Sequence, residues 1–93
     1  MDSAGVRFVK AKLMVKELRG MGFRPAFFNA MGTNMTAKLP SDKQVFVKFT
    51  NTWAHVEIRS ASLRDREQDV FVMTENKEAL QMISEIMEAE KNG

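Results

Sequence analysis

The only histidine, His55, is the residue best suited to acid–base chemistry, because an imidazole titrates near neutral pH. Glu57 follows two residues later and would share a strand face with it, which makes a general acid–base pair conceivable. A hydrolytic triad or a zinc site needs further groups, and the sequence contains no cysteine and no second histidine. We therefore interpret His55 as a solvated strand residue and predict that the protein is not an enzyme.

The alternating acids of residues 64–69 are the one pattern that suggests a metal. A calcium-binding loop counted from Asp65 would need glycine at its sixth position and glutamate at its twelfth. Val70 and Asn76 occupy those positions, so the match fails. The chain also contains no glycine-rich phosphate loop and no nucleophile-elbow motif. The sequence accordingly predicts neither a metal nor a cofactor.

Aromatic and basic residues are interleaved in residues 44–59, which read QVFVKFTNTWAHVEIR and contain the only tryptophan. If this stretch is a hairpin, one of its faces carries Phe46, Lys48, Trp53, His55 and Arg59, with Thr36 and Lys38 adjoining. Aromatic rings among bases on an open sheet are typical of proteins that stack single-stranded nucleic acid. The alternative is that a loop or a second subunit covers Phe46 and Trp53.

A basic stripe on the first predicted helix is a second candidate surface. Lys12, Lys16 and Arg19 are spaced i, i+4 and i+7, so they lie on one side of the helix. Together with Arg24 they could contact a phosphate backbone. The alternatives are a solvated helix face, or a face that lies against the acidic last helix.

The charges are divided unevenly along the chain, although the formal net charge is only +2. Residues 1–50 hold nine Lys/Arg and three Asp/Glu, whereas residues 51–93 hold five and nine. This asymmetry suits contact with nucleic acid or with an oppositely charged protein. Because there is no membrane-length apolar run, no signal-peptide pattern and no cysteine, we expect a cytoplasmic protein that does not contact the membrane.

A β-hairpin is predicted to position the candidate residues. Apolar and polar residues alternate on both sides of residues 50–52, with a two-residue turn at Asn51 and Thr52. The predicted pairs on the apolar face are Val45–Ile58, Val47–Val56 and Phe49–Ala54. On the polar face they are Gln44–Arg59, Phe46–Glu57, Lys48–His55 and Thr50–Trp53. A slip of one residue would move Lys48 and Glu57 into the core.

Two amphipathic helices are predicted to cover the hairpin. The first runs from Asp2 or Ser3 to about Gly20, ends at Gly20 or Gly22, and is followed by a folded-back Phe23. Its apolar arc consists of Phe8, Ala11, Met14, Val15, Leu18 and Met21, beside a second strip of Val6, Val9 and Leu13. The last helix is predicted to be capped by Thr74. Its apolar face consists of Ala79, Leu80, Met82, Ile83, Ile86 and Met87.

Three further strands are expected at residues 26–31, 35–39 and 70–73, with a turn at 40–43 and a charged loop at 60–69. The resulting order is α-β-β-β-β-β-α. The predicted fold is an α+β two-layer sandwich, in which an antiparallel five-stranded sheet carries two helices on one face. We expect residues 1–93 to form a single domain.

The sequence therefore favours a small non-catalytic binding or regulatory module that contacts nucleic acid, DNA or RNA. The residues assigned to that contact are Lys12, Lys16, Arg19, Arg24, Phe46, Lys48, Trp53 and Arg59. The alternative is a protein–protein interaction module, either a homodimer or an inhibitor of a partner protein. It would use the strip of Val6, Val9 and Leu13, or the face of Phe46 and Trp53.

Overall fold

A computed structural model describes residues 9–26, 33–60 and 69–92. The elements are α1 (Ala11–Gly20), β1 (Arg24–Pro25), β2 (Asn34–Lys38), β3 (Gln44–Phe49), β4 (Trp53–Arg59), β5 (Val70–Glu75) and α2 (Asn76–Asn92). The strands form one antiparallel sheet in the order β1-β2-β3-β4-β5. The predicted α+β fold, with five antiparallel strands between two helices in the chain, is confirmed.

The β3–β4 hairpin has the predicted register at every position. Val47 lies opposite Val56 on one face, and Lys48 lies opposite His55 on the other. The backbone N–H of Thr50 donates to the carbonyl of Trp53 at 2.8 Å and closes the turn. Since residues directly opposite one another share a face, this register separates an apolar inner face from a mixed outer face.

The inner face of the sheet forms one side of a hydrophobic core, and both helices form the other. The buried sheet residues are Met35, Ala37, Val45, Val47, Phe49, Ala54, Val56 and Ile58. Met14 and Leu18 of α1 and Ala79 and Ile83 of α2 complete the cluster with Phe23 and Leu39. The described members of the two predicted apolar arcs all pack in or against it. Burial of this apolar surface is the main force that holds the two layers together.

Helix α1 begins later than predicted. Lys10 has an extended backbone (φ −73°, ψ 160°), and Val9 is not helical, so a continuous helix from Asp2 or Ser3 is wrong. The N–H of Ala11 donates to Oδ1 of Asn51 at 3.0 Å. This distant asparagine therefore takes the role that the sequence assigned to Asp2 or Ser3, which lie outside the described residues.

The predicted second apolar strip is not one face of a helix. Val9 packs against the core from outside the helix, whereas Leu13 is 45% exposed on α1. Val6 lies outside the described residues. The prediction of a docking strip made of Val6, Val9 and Leu13 assumed that all three residues lie on one helix. That assumption is wrong for Val9.

The end of α1 follows the sequence prediction. Gly22 has φ +97°, the left-handed conformation that favours glycine. The N–H of Gly22 donates to Arg19 O and that of Phe23 to Leu18 O, both at 3.0 Å. Phe23 is buried against the core, as expected of the residue that follows such a termination.

Helix α2 begins at Asn76, so the prediction that Thr74 caps it is wrong. Thr74 belongs to β5, which extends two residues further than predicted, and lies opposite Ala54. Its hydroxyl still reaches the first turn and donates to Glu78 Oε2 at 2.6 Å. Of the other predicted segments, residues 27–32 and the loop residues 61–68 lie outside the described part of the chain.

Asn76 connects both helices to the hairpin turn. Its side chain is buried, and Nδ2 donates to Val9 O at 2.6 Å and to Thr50 O at 2.9 Å. Its backbone N–H donates to Thr52 O at 3.0 Å. Together with the bond from Ala11 to Asn51, these contacts fix the starts of α1 and α2 against the same turn.

Substituting Val47 by aspartate tests the assignment of the two faces. Val47→Asp places an unpaired carboxylate in the core, and we expect it to lower the free energy of unfolding by about 3 kcal/mol or more. Lys48→Asp, on the adjacent exposed position, should cost less than about 1 kcal/mol. Urea titration measures both variants, and equal losses would mean that the faces are assigned wrongly.

Removal of the Asn76 amide tests the connection between the helices and the turn. Asn76→Ala leaves two carbonyl oxygens without their donor, and we expect a loss of about 2–4 kcal/mol. Asn92→Ala, at the exposed end of α2, is the matched control and should change stability by less than about 0.5 kcal/mol. A loss below about 1 kcal/mol for Asn76→Ala would show that the helices are held by apolar packing alone.

Candidate nucleic-acid interface

The outer face is the side of the sheet turned away from the helices, and strand pairing arranges its side chains in rows. The central row runs Arg24, Thr36, Phe46, Glu57 and Phe71 across all five strands. The next row contains Asn34, Lys48, His55 and Met73. A third row, past Lys48 and His55, contains Thr50, Trp53 and Glu75. On the opposite side of the central row lies a fourth row of Lys38, Gln44 and Arg59. Aromatic and basic side chains are thus interspersed on this face, together with two acidic residues, Glu57 and Glu75.

Arg59 is held over the ring of Phe46. Its guanidinium carbon lies 4.7 Å from the ring centroid, within the range of a cation–π contact. Its Nε donates to Glu57 Oε1 at 2.7 Å. This hydrogen bond is the main reason why the pKa of Arg59 is raised above its ordinary value. Because the side chains of the pair are 48% and 30% exposed, the bond orients Arg59 more than it stabilises the fold.

His55 belongs to the aromatic surface and forms no acid–base pair with Glu57. Its ring contacts Phe71 edge-on, with centroids 4.7 Å apart and planes at 64°. It is half-buried, whereas the sequence predicted a solvated side chain. The carboxylate of Glu57 is bound by Arg59 instead. The expected cross-strand neighbour of His55, Lys48, is in place.

The outer face carries two adjoining open grooves. The larger, of about 610 Å³, is lined by Phe46, Arg59 and Phe71 among others. The smaller, of about 270 Å³, is lined by Trp53 and Met73 and shares Lys48 and His55 with the first. Trp53, Phe71 and Met73 are 50%, 61% and 60% exposed. Among the described residues, the two grooves therefore adjoin as one surface of aromatic, apolar and charged side chains.

Phe71 and Met73 are site candidates that the sequence prediction missed. The stretch VFVM is a continuous apolar run, so its own pattern does not tell which residues face outward. Pairing with β4 settles it, because Phe71 lies opposite Glu57 and Met73 opposite His55. The outward direction of Phe71 and Met73 can therefore be derived only from their pairing with β4.

The predicted site residues divide between two separate surfaces. Phe46, Lys48, Trp53 and Arg59 lie on the outer face, whereas Lys12, Lys16 and Arg19 are exposed on α1, in the helix layer. Arg24 was grouped with the helix stripe, but β1 places it opposite Thr36, on the outer face. The core lies between the two surfaces, so no compact ligand contacts both.

The basic stripe on α1 is free of the acidic last helix. Lys12, Lys16 and Arg19 form no ion pair with any residue in the described ranges. On the outer face, Lys48 and Arg24 likewise have no ion-pair partner in this part of the chain. Lys38 lies 3.6 Å from Asp42, and because both side chains are 71% exposed, salt screens this pair. Both surfaces therefore carry cations available to an anionic ligand.

Within residues 9–26, 33–60 and 69–92, no three His, Asp or Glu side chains converge as metal ligands would. The helices described there are too short or too polar to cross a membrane. Comparison with protein-family models, with curated proteins and with solved structures found no match.

Proposed function

We propose that this protein is a non-catalytic module that binds single-stranded nucleic acid on the outer face of its sheet. The observation that carries the proposal is the continuous groove in which the aromatic rings of Trp53, His55 and Phe71 lie among Lys48 and Arg59. Aromatic side chains stack on bases, and the cations beside them neutralise the phosphates between those bases.

The spacing of the rings suits stacked bases. Alternate residues of a strand are about 7 Å apart, and neighbouring strands about 4.8 Å. Phe71 presents an exposed ring in the larger groove and Trp53 in the smaller one. Phe46 is half-buried under Arg59, whose guanidinium plane offers a further stacking surface. A strand that crosses this face would stack two or three bases.

The groove favours a single strand over a duplex. In a duplex the faces of the bases are already stacked on one another, so exposed rings such as Trp53 gain little from it. The charge balance is modest, because Glu57 and Glu75 lie on the same face as Arg24, Lys48 and Arg59. Few phosphate contacts imply affinity in the micromolar range.

The stripe of Lys12, Lys16 and Arg19 is the competing surface, because its cations are exposed and without ion-pair partners in the described residues. It contains no exposed aromatic ring. We therefore assign it at most a contact with phosphates, independent of the groove. The protein–protein alternative rests on the same exposed Trp53, and it becomes the better description if no oligonucleotide binds.

The dependence of binding on salt tests the phosphate contacts. With about three cations on the outer face besides Lys38, which pairs with Asp42, log K for labelled single-stranded DNA or RNA should fall with log salt at a slope near −2. Lys48→Gln should flatten the slope by about 0.7, the value of one contact on a single strand. Trp53→Ala should weaken binding by ~1–3 kcal/mol and leave the slope unchanged. Fluorescence anisotropy across a salt series measures all three.

Two variants in the helix layer are the matched controls. Leu13→Ala removes an exposed apolar side chain, as Trp53→Ala does, and Lys16→Gln removes an exposed cation, as Lys48→Gln does. Neither should change affinity. If Lys16→Gln weakens binding and Lys48→Gln does not, the contact lies on α1. If no single strand binds below about 100 μM at about 50 mM salt, the nucleic-acid function is wrong.

His55 provides the test of the non-catalytic assignment. Because Glu57 is bound by Arg59, His55 has no positioned partner for proton transfer among the described residues, and we expect labelled RNA to remain intact with the protein at pH 6–8. The measurement is gel analysis over several hours, with His55→Gln and Lys16→Gln in parallel. Cleavage by the wild type and by Lys16→Gln, but not by His55→Gln, would show that the protein is a ribonuclease.

A further inference from the structure

The two edges of the sheet differ in how well they are protected against pairing with another strand. The β1 edge is two residues long and contains Arg24 and Pro25, and short strands, charges and proline all discourage pairing. The β5 edge is six residues long, and residues 70–74 carry neither a charge nor a proline. The composition of the β1 edge therefore blocks further pairing, whereas no strand among the described residues pairs with the β5 edge.

The β5 edge also concentrates the exposed apolar side chains. Among the described residues, the large hydrophobics that remain exposed are Leu13, Trp53, Val70, Phe71 and Met73, and three of them lie on this strand. An edge that combines free backbone groups with exposed apolar side chains is a template for a further strand. The occupant must itself be uncharged over about five residues.

We propose that β5 pairs with β5 of a second copy, antiparallel about a two-fold axis at Val72. Val72 is the midpoint of the uncharged residues 70–74, with Asp69 and Glu75 directly outside them. Centring the axis there pairs every uncharged residue with another uncharged residue. The two sheets then join into one of ten strands, and the contact adjoins the outer-face grooves through Phe71 and Met73.

The side chains fit this register on both faces. On the outer face Phe71 of each copy lies opposite Met73 of the other, an aromatic–sulfur pair formed twice. On the inner face Val72 meets its own counterpart, and Val70 meets Thr74. Moving the axis to Met73 would place Phe71 opposite Glu75, and moving it to Phe71 would place Met73 opposite Asp69.

The buried area of this contact is small, so we expect dimer and monomer to coexist in equilibrium. One strand on each side buries less than the ~1,200 Å² that marks the low end of specific interfaces. The acidic residues at both ends of the pairing, Asp69 and Glu75, lie opposite each other and weaken it further. We expect a dissociation constant on the order of 10–100 μM.

Sedimentation equilibrium without nucleic acid tests the proposal independently of the proposed function. Between about 5 μM and about 500 μM, the wild-type mass should rise from one chain towards two. Phe71→Lys with Met73→Lys places like charges opposite each other across the axis and should keep the protein monomeric. Leu13→Lys, at a comparably exposed site on α1, should leave the dimer unchanged.

A charge-swapped pair tests the register. Phe71→Glu with Met73→Glu should also be monomeric alone, and an equimolar mixture of the lysine and glutamate variants should form a heterodimer. Far-UV circular dichroism verifies that each variant is folded, as expected for side chains about 60% exposed. A wild type that stays monomeric throughout, or folded variants that remain monomeric when mixed, would overturn the proposal.

Discussion

The arrangement of the two layers depends on the buried amide of Asn76. Apolar packing is non-directional, so burial of Met14 or Ile83 alone would hold the helices on the sheet in several orientations. Directional hydrogen bonds from Asn76 to Val9 and Thr50 select one of them. The selection has a cost, because Oδ1 of the same side chain is buried without a partner among the described residues. Both helices start at the hairpin turn and run over the inner face as a consequence.

In that arrangement none of the described elements covers the outer face of the sheet, so the composition of that face is informative. A sheet with one solvated face normally alternates apolar residues inward with polar residues outward. The inner face follows this rule at every described position of β3 and β4, but the outer face carries Phe46 and Trp53 where polar residues would suffice. Phe71 and Met73 of β5 are two further apolar residues at outward positions where the rule expects polar ones. The core does not need these side chains, so a ligand or a partner is the better reason for them.

The parts of the fold that depend on local periodicity could be predicted, and the parts that depend on distant partners could not. Alternation across residues 44–59 determined the register, because a slip would have buried Lys48 and Glu57. The start of α1 depends on Asn51, forty residues away, and no local pattern shows that. For the same reason the outward direction of Phe71 and the position of Arg24 came only from pairing with β4 and β2. The basic-aromatic face was predictable as a set of residues on the side of the sheet away from the helices, except that Arg24 was assigned to the α1 stripe.

Phe71 links the edge of the sheet to its outer face. It contacts His55 in the groove and occupies the strand whose backbone groups are open to a second copy. In the proposed register, the central row from Arg24 to Phe71 continues into Met73 of the other copy, so two grooves become one surface of twice the width. In the proposed dimer, a ligand that spans both grooves would bind the paired form more tightly than the monomer. Thermodynamic linkage then requires that the ligand promotes pairing by the same factor. A weak contact at β5 is sufficient for such a system, because the ligand supplies the remaining free energy of association.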